Sequence, residues 1–142
     1  MTVADRAAAL SISGMSNYTV KNLKQVDNMA EQFGLADNLE ARFARKPLEL
    51  SNFGVSYEKF APGFRMPFGH THGKQEEVYI VISGGGRIKV GDEIVELTQW
   101  DAIRVPGDVT RALEGGTDGM EILAIGAPQA DDTEMTQGWW SD

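Results

Sequence analysis

From Phe53 onward the chain consists of short runs of β-branched and aromatic residues that are separated by glycine and proline. No helical periodicity lies between these runs. Because strands that follow one another without helices pair antiparallel, the pattern predicts an all-β sandwich or barrel. The predicted strands are Val55–Phe60, Arg65–Thr71, Val78–Ser83, Arg87–Val90, Ile94–Leu97, Ala102–Val105, Thr110–Leu113 and Glu121–Gly126.

Two glycine-containing segments predict turns between these strands. Gly91 and Asp92 lie between two β-rich runs, which is typical of a tight hairpin, because glycine adopts positive φ without a steric cost. The glycines at 84–86 also predict a hairpin turn. A phosphate-binding loop is excluded there because no helix follows it.

The N-terminal third of the chain has a different character. Residues 1–18 predict a flexible lead-in, in which Met15 is an alternative start. Within residues 19–50, the apolar side chains from Val26 to Phe33 have helical spacing and predict a short helix, with Asp27 as N-cap and Gly34 as its end. Leu39–Phe43 alternates as an edge strand does. The barrel is then expected over residues 51–128 and a C-terminal tail over 129–142, where the tryptophans at 139 and 140 are expected to pack on the barrel or on a neighbouring subunit.

Composition excludes several classes of function. The 142 residues suffice for one domain with its own core. A net charge of −8 argues against a nucleic-acid partner, whose phosphates require a basic surface. No apolar run approaches the ~20 residues of a membrane helix, and no signal peptide is apparent. The absence of cysteine excludes disulfides and thiolate metal sites. We therefore expect a cytoplasmic protein.

Both histidines of the chain lie in one short segment. His70 and His72 are two residues apart, and Glu77 follows five residues after His72. Alternate side chains of a strand lie on one face, so the two imidazoles are expected side by side, about 7 Å apart along the strand. With a carboxylate from the next strand, they would form three corners of a metal site.

The same segment resembles the first sequence motif of the cupin superfamily. That motif consists of a glycine, an H-x-H pair, a glutamate and a second glycine, which correspond here to Gly63, the two histidines, Glu77 and Gly84. The segment from Asp101 to Gly107 is similar to the second cupin motif, and the hairpin around Gly91 is similar to the intermotif region. The resemblance covers roughly Phe53 to Pro128. It implies a cupin-type double-stranded β-helix, or jelly-roll barrel, of the small single-domain bacterial kind.

Two departures from the cupin pattern matter most. Trp100 replaces the glycine that opens the second motif. Arg111 occupies the place of the histidine that is the fourth protein ligand in metal-binding cupins. Arginine offers only hydrogen-bond donors and stays protonated, so it cannot coordinate a cation.

Three interpretations of the site stay open. In the first, His70, His72 and Glu77 bind a divalent metal (Fe, Mn, Zn or Ni), Arg111 anchors an anionic substrate, and the protein is an enzyme of dioxygenase, isomerase or lyase type. In the second, no metal is bound, Arg111 pairs with Glu77, and the barrel binds or senses a small ligand. In the third, the pocket has lost its function.

Further residues are candidates for the wall of a ligand pocket. These are Tyr57, Arg65, Tyr79 and Arg104, all of which lie on predicted barrel strands. The expected ligand is a small polar or anionic metabolite. The run from Val78 to Ile82 is apolar on both faces, which indicates a second covering layer and predicts a homodimer.

Overall fold

The computed structural model describes residues 17–127 and 132–141. Almost all regular structure in these ranges is β-strand, so the predicted all-β class is confirmed. The strands are β1 (Leu39–Phe43), β2 (Gly54–Phe60), β3 (Phe68–His72), β4 (Glu77–Val90), β5 (Glu93–Thr98), β6 (Ala102–Val105), β7 (Arg111–Gly126) and β8 (Thr133–Gln137). The predicted lead-in over residues 1–18 lies almost entirely outside the described residues.

Two long antiparallel strands, β4 and β7, form the centre of the fold. They pair from Glu77 opposite Gly126 to Val90 opposite Arg111. On β4, the hairpin partner β5 and the short strand β6 complete one side of the sheet. On β7, the second half pairs with β2 and the first residue pairs with β3, which continues to β8. The sheet is therefore bent so that β2, β3 and β4 all border one interior.

The glycines at 84–86 do not form a turn, contrary to the prediction. They lie inside β4, where the pairing with β7 shifts register between Gly84 and Gly86. A Cβ on Gly86 would lie 2.0 Å from the carbonyl oxygen of Glu114, so only glycine allows the two backbones to approach this closely. The run that resembled a turn is a β-bulge that bends one continuous strand. The hairpin at Gly91 and Asp92 is confirmed, and Gly91 has a φ of +57°.

The predicted N-terminal helix is two 3₁₀ turns instead, at Leu23–Gln25 and Met29–Phe33. The cap of the second turn is Asn28, rather than Asp27, and its side chain accepts a hydrogen bond from Ala30 N at 3.0 Å. The same oxygen accepts from Ala41 N at 2.9 Å, so Asn28 ties the turn to β1. Gly34 ends the turn as predicted, with a φ of +69°. A longer helix would detach this cap from the strand.

The C-terminal segment is a strand followed by a buried tryptophan. The described part of the predicted tail begins at residue 132, and β8 pairs with β3 along its whole length. Trp140 is buried against the barrel, and the guanidinium groups of Arg65 and Arg87 lie over its ring. The expectation that the tryptophans pack on the barrel is confirmed for Trp140.

The hydrophobic core fills the interior between the strands. Its largest fully buried apolar members include Phe60, Ile88, Met120 and Ile122. One end of this interior is not filled and forms the cavity described below. Within the described ranges, no helix has the length and hydropathy that a membrane crossing requires.

Candidate metal centre and its cavity

A tight connection between β3 and β4 brings the histidines and Glu77 together. Asp132 holds this connection, because its carboxylate accepts hydrogen bonds from Lys74 N at 3.1 Å and from Gln75 N at 3.0 Å. On the other side, Gly107 packs against it so closely that a Cβ would lie 2.8 Å from the backbone of Gln75. This short connection reverses the direction of the chain after β3. Glu77, the first residue of β4, therefore lies beside the histidines.

The three side chains converge on one point. Glu77 Oε1 lies 3.3 Å from His70 Nε2 and 3.0 Å from His72 Nε2. The imidazole rings stand edge to face with centroids 5.0 Å apart. One donor atom from each residue lies within 4.8 Å of the other two. The juxtaposition predicted from the spacing in sequence is therefore present in the structure.

The distances from Glu77 to the two histidines fit a divalent metal. Ligands about 2.1 Å from one metal, at angles between the octahedral and tetrahedral values, lie about 3.0 to 3.4 Å from one another. Both distances between histidine nitrogen and Glu77 oxygen fall in this interval. His72 Nε2 is also buried and has no hydrogen bond of acceptable geometry, even to the nearby carboxylate. An unsatisfied nitrogen at this place is suited to coordination.

Thr133 orients His72 from the opposite side of its ring. Thr133 Oγ1 lies 3.1 Å from His72 Nδ1. When Nδ1 carries the proton it donates to this hydroxyl, which leaves the Nε2 lone pair free for a cation. Thr133 gives no signal in the sequence, because β8 is a polar segment without the apolar alternation of a strand.

Glu77 accepts a further hydrogen bond from Tyr79. The phenol hydroxyl donates to Glu77 Oε1 at 2.7 Å. Burial by itself would raise the pKa of Glu77, but the polar contacts with His70, His72 and Tyr79 together lower the pKa well below its usual range. Burial and the Glu77 charge raise the pKa of Tyr79. At neutral pH the site thus holds an ionised carboxylate and a neutral phenol.

Arg111 lies behind the three converging residues. It pairs with His70 across β7 and β3, and its side chain is fully buried. Nη2 donates to the carbonyl oxygens of Val105 at 3.3 Å and Pro106 at 2.8 Å. Nη1 lies 3.9 Å from Glu77 Oε1, while Nη1 and Nε have no hydrogen-bond partner. Arg111 therefore contributes positive charge to the site from behind Glu77, without lining the cavity.

The histidines, Glu77 and Tyr79 form one end of a cavity of about 260 Å³. Its polar wall also includes Ser56, Glu58 and Thr133, whereas the rest of the wall is apolar. The apolar lining residues are Ala30, Phe33, Leu35, Leu39, Ala41, Phe43, Met66, Phe68, Leu113, Ala124 and Met135. A mainly apolar chamber with a small polar end is a common form of small-molecule site.

Glu58 is a second carboxyl group in this cavity, and it is not among the site residues predicted from the sequence. Burial, followed by the charge of Glu77, raises the pKa of Glu58 to about 7, although a hydrogen bond from Ser56 opposes the shift. The strand pattern of the sequence does indicate its position. Glu58 lies two residues before buried Phe60, so it is on the same face of β2, whereas exposed Lys59 is on the other face. The carboxyl can therefore hold or release a proton near neutral pH.

Three of the predicted ligand residues lie away from the cavity. The Tyr57 hydroxyl donates to Glu121 on the other side of the sheet. Arg65 Nε donates to Glu114 Oε2 at 2.6 Å, and Arg104 Nη1 donates to Glu76 at 3.1 Å on the surface. Each side chain is already engaged elsewhere and is absent from the cavity lining, so a role as a contact for a ligand there does not agree with its position. Among the predicted ligand residues, Tyr79 does line the cavity.

Comparison with known proteins identifies the fold. No protein-family model and no curated protein matches the chain. Among solved structures, a cupin protein from Bacteroides fragilis is 25% identical, with a TM-score of 0.66 over 82% of this chain and 89% of its own.

Two solved enzyme structures share this fold at lower sequence identity. Oxalate decarboxylase from Bacillus subtilis is 21% identical, with a TM-score of 0.69 over 84% of this chain but 32% of its own. A sugar phosphate isomerase from a cupin superfamily, from Silicibacter pomeroyi, is 18% identical, with a TM-score of 0.59 over 71% of this chain and 77% of its own. The predicted jelly-roll barrel is confirmed, and the chain has the fold of the cupin superfamily.

Proposed function

We propose that His70, His72 and Glu77 bind a divalent metal ion and that the adjoining cavity binds a small molecule beside it. The observation that carries this proposal is the convergence of three donor atoms, one of them a buried imidazole nitrogen without a hydrogen bond. Two imidazoles and one carboxylate suit Fe, Mn, Zn or Ni, and they leave coordination positions for water or a ligand.

The residues around the centre support a metal-dependent enzyme of dioxygenase, isomerase or lyase type. When bound, a metal of this kind polarises oxygen groups of a substrate or, if it is iron, supports chemistry with dioxygen. Tyr79 fixes the Glu77 carboxylate by its hydrogen bond, and Glu58 offers a proton that exchanges near pH 7. Two structurally similar proteins are named as a decarboxylase and an isomerase, which is consistent with this class.

Metal analysis of the untagged protein tests the proposal. We expect about one equivalent of a transition metal per chain, and we expect His70→Ala and His72→Ala each to abolish binding while the fold persists. Thr71→Ala is the matched control, because Thr71 lies between the two histidines on the same strand and outside the ligand set. Sub-stoichiometric metal, with no thermal stabilisation by added Mn, Fe, Zn or Ni, would overturn the proposal.

A metal-free binding module is the second candidate. It is favoured by the buried position of Arg111, 3.9 Å from Glu77, because the two charges compensate each other without a cation. In that case Glu77→Gln would leave the Arg111 charge buried and uncompensated. The substitution would lower the free energy of unfolding by about 3 kcal/mol or more. Added metal would not change the stability of either the wild type or the Glu77→Gln variant.

The assembly and location of the protein stay predictions. We expect a homodimer, since Val78, Ile80 and Ile82 are only partly buried in the single chain. Light scattering on the purified protein tests this prediction, and a monomer at micromolar concentration would contradict it. We also expect a cytoplasmic location and, from the net charge of −8, no nucleic-acid partner.

A further inference from the structure

The wall of the cavity is poorly suited to a wholly polar ligand. Apart from the end that contains the histidines, Glu77 and Tyr79, the walls are mainly hydrocarbon and aromatic. A small, wholly polar molecule would lose its hydration against such walls without gaining hydrogen bonds, and this transfer is unfavourable. The cavity therefore favours a ligand with a separate apolar part.

Large apolar side chains also surround the cavity where they are open to solvent. Phe33 is 54% exposed, Phe43 is 52% exposed and Met135 is 52% exposed, and all three line the cavity. Exposed apolar side chains that are clustered, rather than scattered, mark surfaces that bind apolar groups. Here the cluster continues the apolar wall outward from the polar end.

The charges at the polar end favour an anionic head group. Arg111 and Glu77 compensate each other, so a divalent metal at the histidines would leave an excess of positive charge in a buried place. Glu58 is the other carboxyl group that lines the cavity within the described ranges. A carboxylate or similar oxyanion on the metal would reduce this excess, and oxygen anions are suitable ligands for these metals.

We propose that the ligand is a small amphiphile, with an oxyanion head at the metal and an apolar body of aliphatic or aromatic carbon along the cavity wall. A cavity of about 150 Å³ accepts benzene, which has six heavy atoms, so the 260 Å³ found here corresponds to about ten. Octanoate has about this size. This inference rests on the proposed metal centre and specifies the class of molecule bound beside it.

A series of straight-chain carboxylates tests the inference. Binding of acetate, butyrate, hexanoate, octanoate and dodecanoate to the metal-loaded protein is measured by calorimetry, after metal binding has been measured separately. We expect affinity to rise about two- to fourfold per methylene up to octanoate, and then to level off as the chain outgrows the cavity. Octan-1-ol, which lacks the anionic head, is expected to bind at least about tenfold more weakly than octanoate.

Two surface variants locate the bound chain. Phe43→Ser removes an exposed part of the cavity wall and should weaken octanoate binding about fivefold or more while leaving acetate unchanged. Phe53→Ser is the matched control, because Phe53 is 46% exposed and does not line the cavity. Equal losses in both variants, or octanoate no tighter than acetate on a metal-loaded protein, would overturn the inference alone. Failure to bind metal would overturn the proposed function and the inference together.

Discussion

Arg111 lies directly opposite His70 in the pairing of β7 with β3, and its guanidinium reaches to 3.9 Å from the Glu77 carboxylate. The residue at 111 is therefore close enough to the centre to set its charge. Since the guanidinium cannot coordinate, the proposed metal centre would have three protein ligands and a neighbouring cation. This relationship separates the site from one with four protein ligands and makes position 111 the first place to test.

Replacing Arg111 by histidine is expected to raise metal affinity by at least about tenfold, because the change removes a buried positive charge and adds an imidazole. Arg111→Met is the control, since it removes the charge and adds no ligand. Both variants lose the hydrogen bonds to Val105 and Pro106, so that loss cancels in their comparison. Measured by competition with a chelator, metal affinity should be highest in Arg111→His, lower in Arg111→Met and lowest in the wild type. An unchanged affinity in Arg111→His would contradict a metal centre at this point.

Thr133→Val is expected to lower metal affinity by about tenfold, because His72 loses the hydroxyl group that orients its ring. Thr133→Ser keeps the hydroxyl and should bind metal as the wild type does. Thr133 is exposed at one side of β8, so neither change should alter the melting temperature of the metal-free protein by more than a few degrees. Equal affinity in the Val and Ser variants would show that the 3.1 Å contact does not support the ligand.

The sequence predicted the convergence of His70, His72 and Glu77 better than it predicted the course of the strands. The H-x-H spacing and the following glutamate were enough to predict that the three side chains meet. Strand alternation places the two histidines on one face, and a short connection brings the glutamate beside them. Arg111 could be placed by its position after the Pro106–Gly107 turn. The joined strands β4 and β7 could not be recognised, since their internal glycines have the same composition as turns. That the glycines of β4 form a bulge rather than a turn depends on their contacts with the backbone of β7, which is distant in sequence.

The remaining errors also have tertiary causes. Tyr57, Arg65 and Arg104 were placed on the correct strands or next to them, but their partners Glu121, Glu114 and Glu76 determine where the side chains go. All three partners are distant in sequence and give no local signal. The apolar walls come from several separate segments of the chain, so the character of the cavity follows only from the assembled fold.

Glu58 is expected to make the stability of the protein fall between about pH 4.5 and pH 7. Its pKa is about 7 in the folded protein, against an ordinary value of 4.5 for the unfolded chain, so in this interval the folded protein binds the proton and the unfolded chain does not. The free energy of unfolding therefore declines as pH rises, by an amount on the order of 3 kcal/mol that is complete above about pH 7.

Glu58→Gln cannot ionise and should lack this decline, so it should be more stable than the wild type at about pH 8 and similar near pH 5. Urea unfolding across this pH range in the presence of a chelator measures the difference. Glu96→Gln, at an exposed position of β5, is the control and should follow the wild type. A parallel decline in all three proteins would contradict the assignment to Glu58.

Trp100→Gly is expected to raise the free energy of unfolding by about 0.5 to 1 kcal/mol. Trp100 has a φ of +73°, a left-handed conformation that costs a residue with a Cβ about 1 to 2 kcal/mol, and glycine avoids this cost while adding entropy to the unfolded chain. The indole is 71% exposed, so little packing is lost. Trp100→Ala keeps the Cβ and should not be stabilised, which separates backbone strain from removal of the exposed ring. Denaturant unfolding of the wild type, Trp100→Gly and Trp100→Ala measures these differences. An equal rise in the free energy of unfolding in both variants would contradict strain at this position.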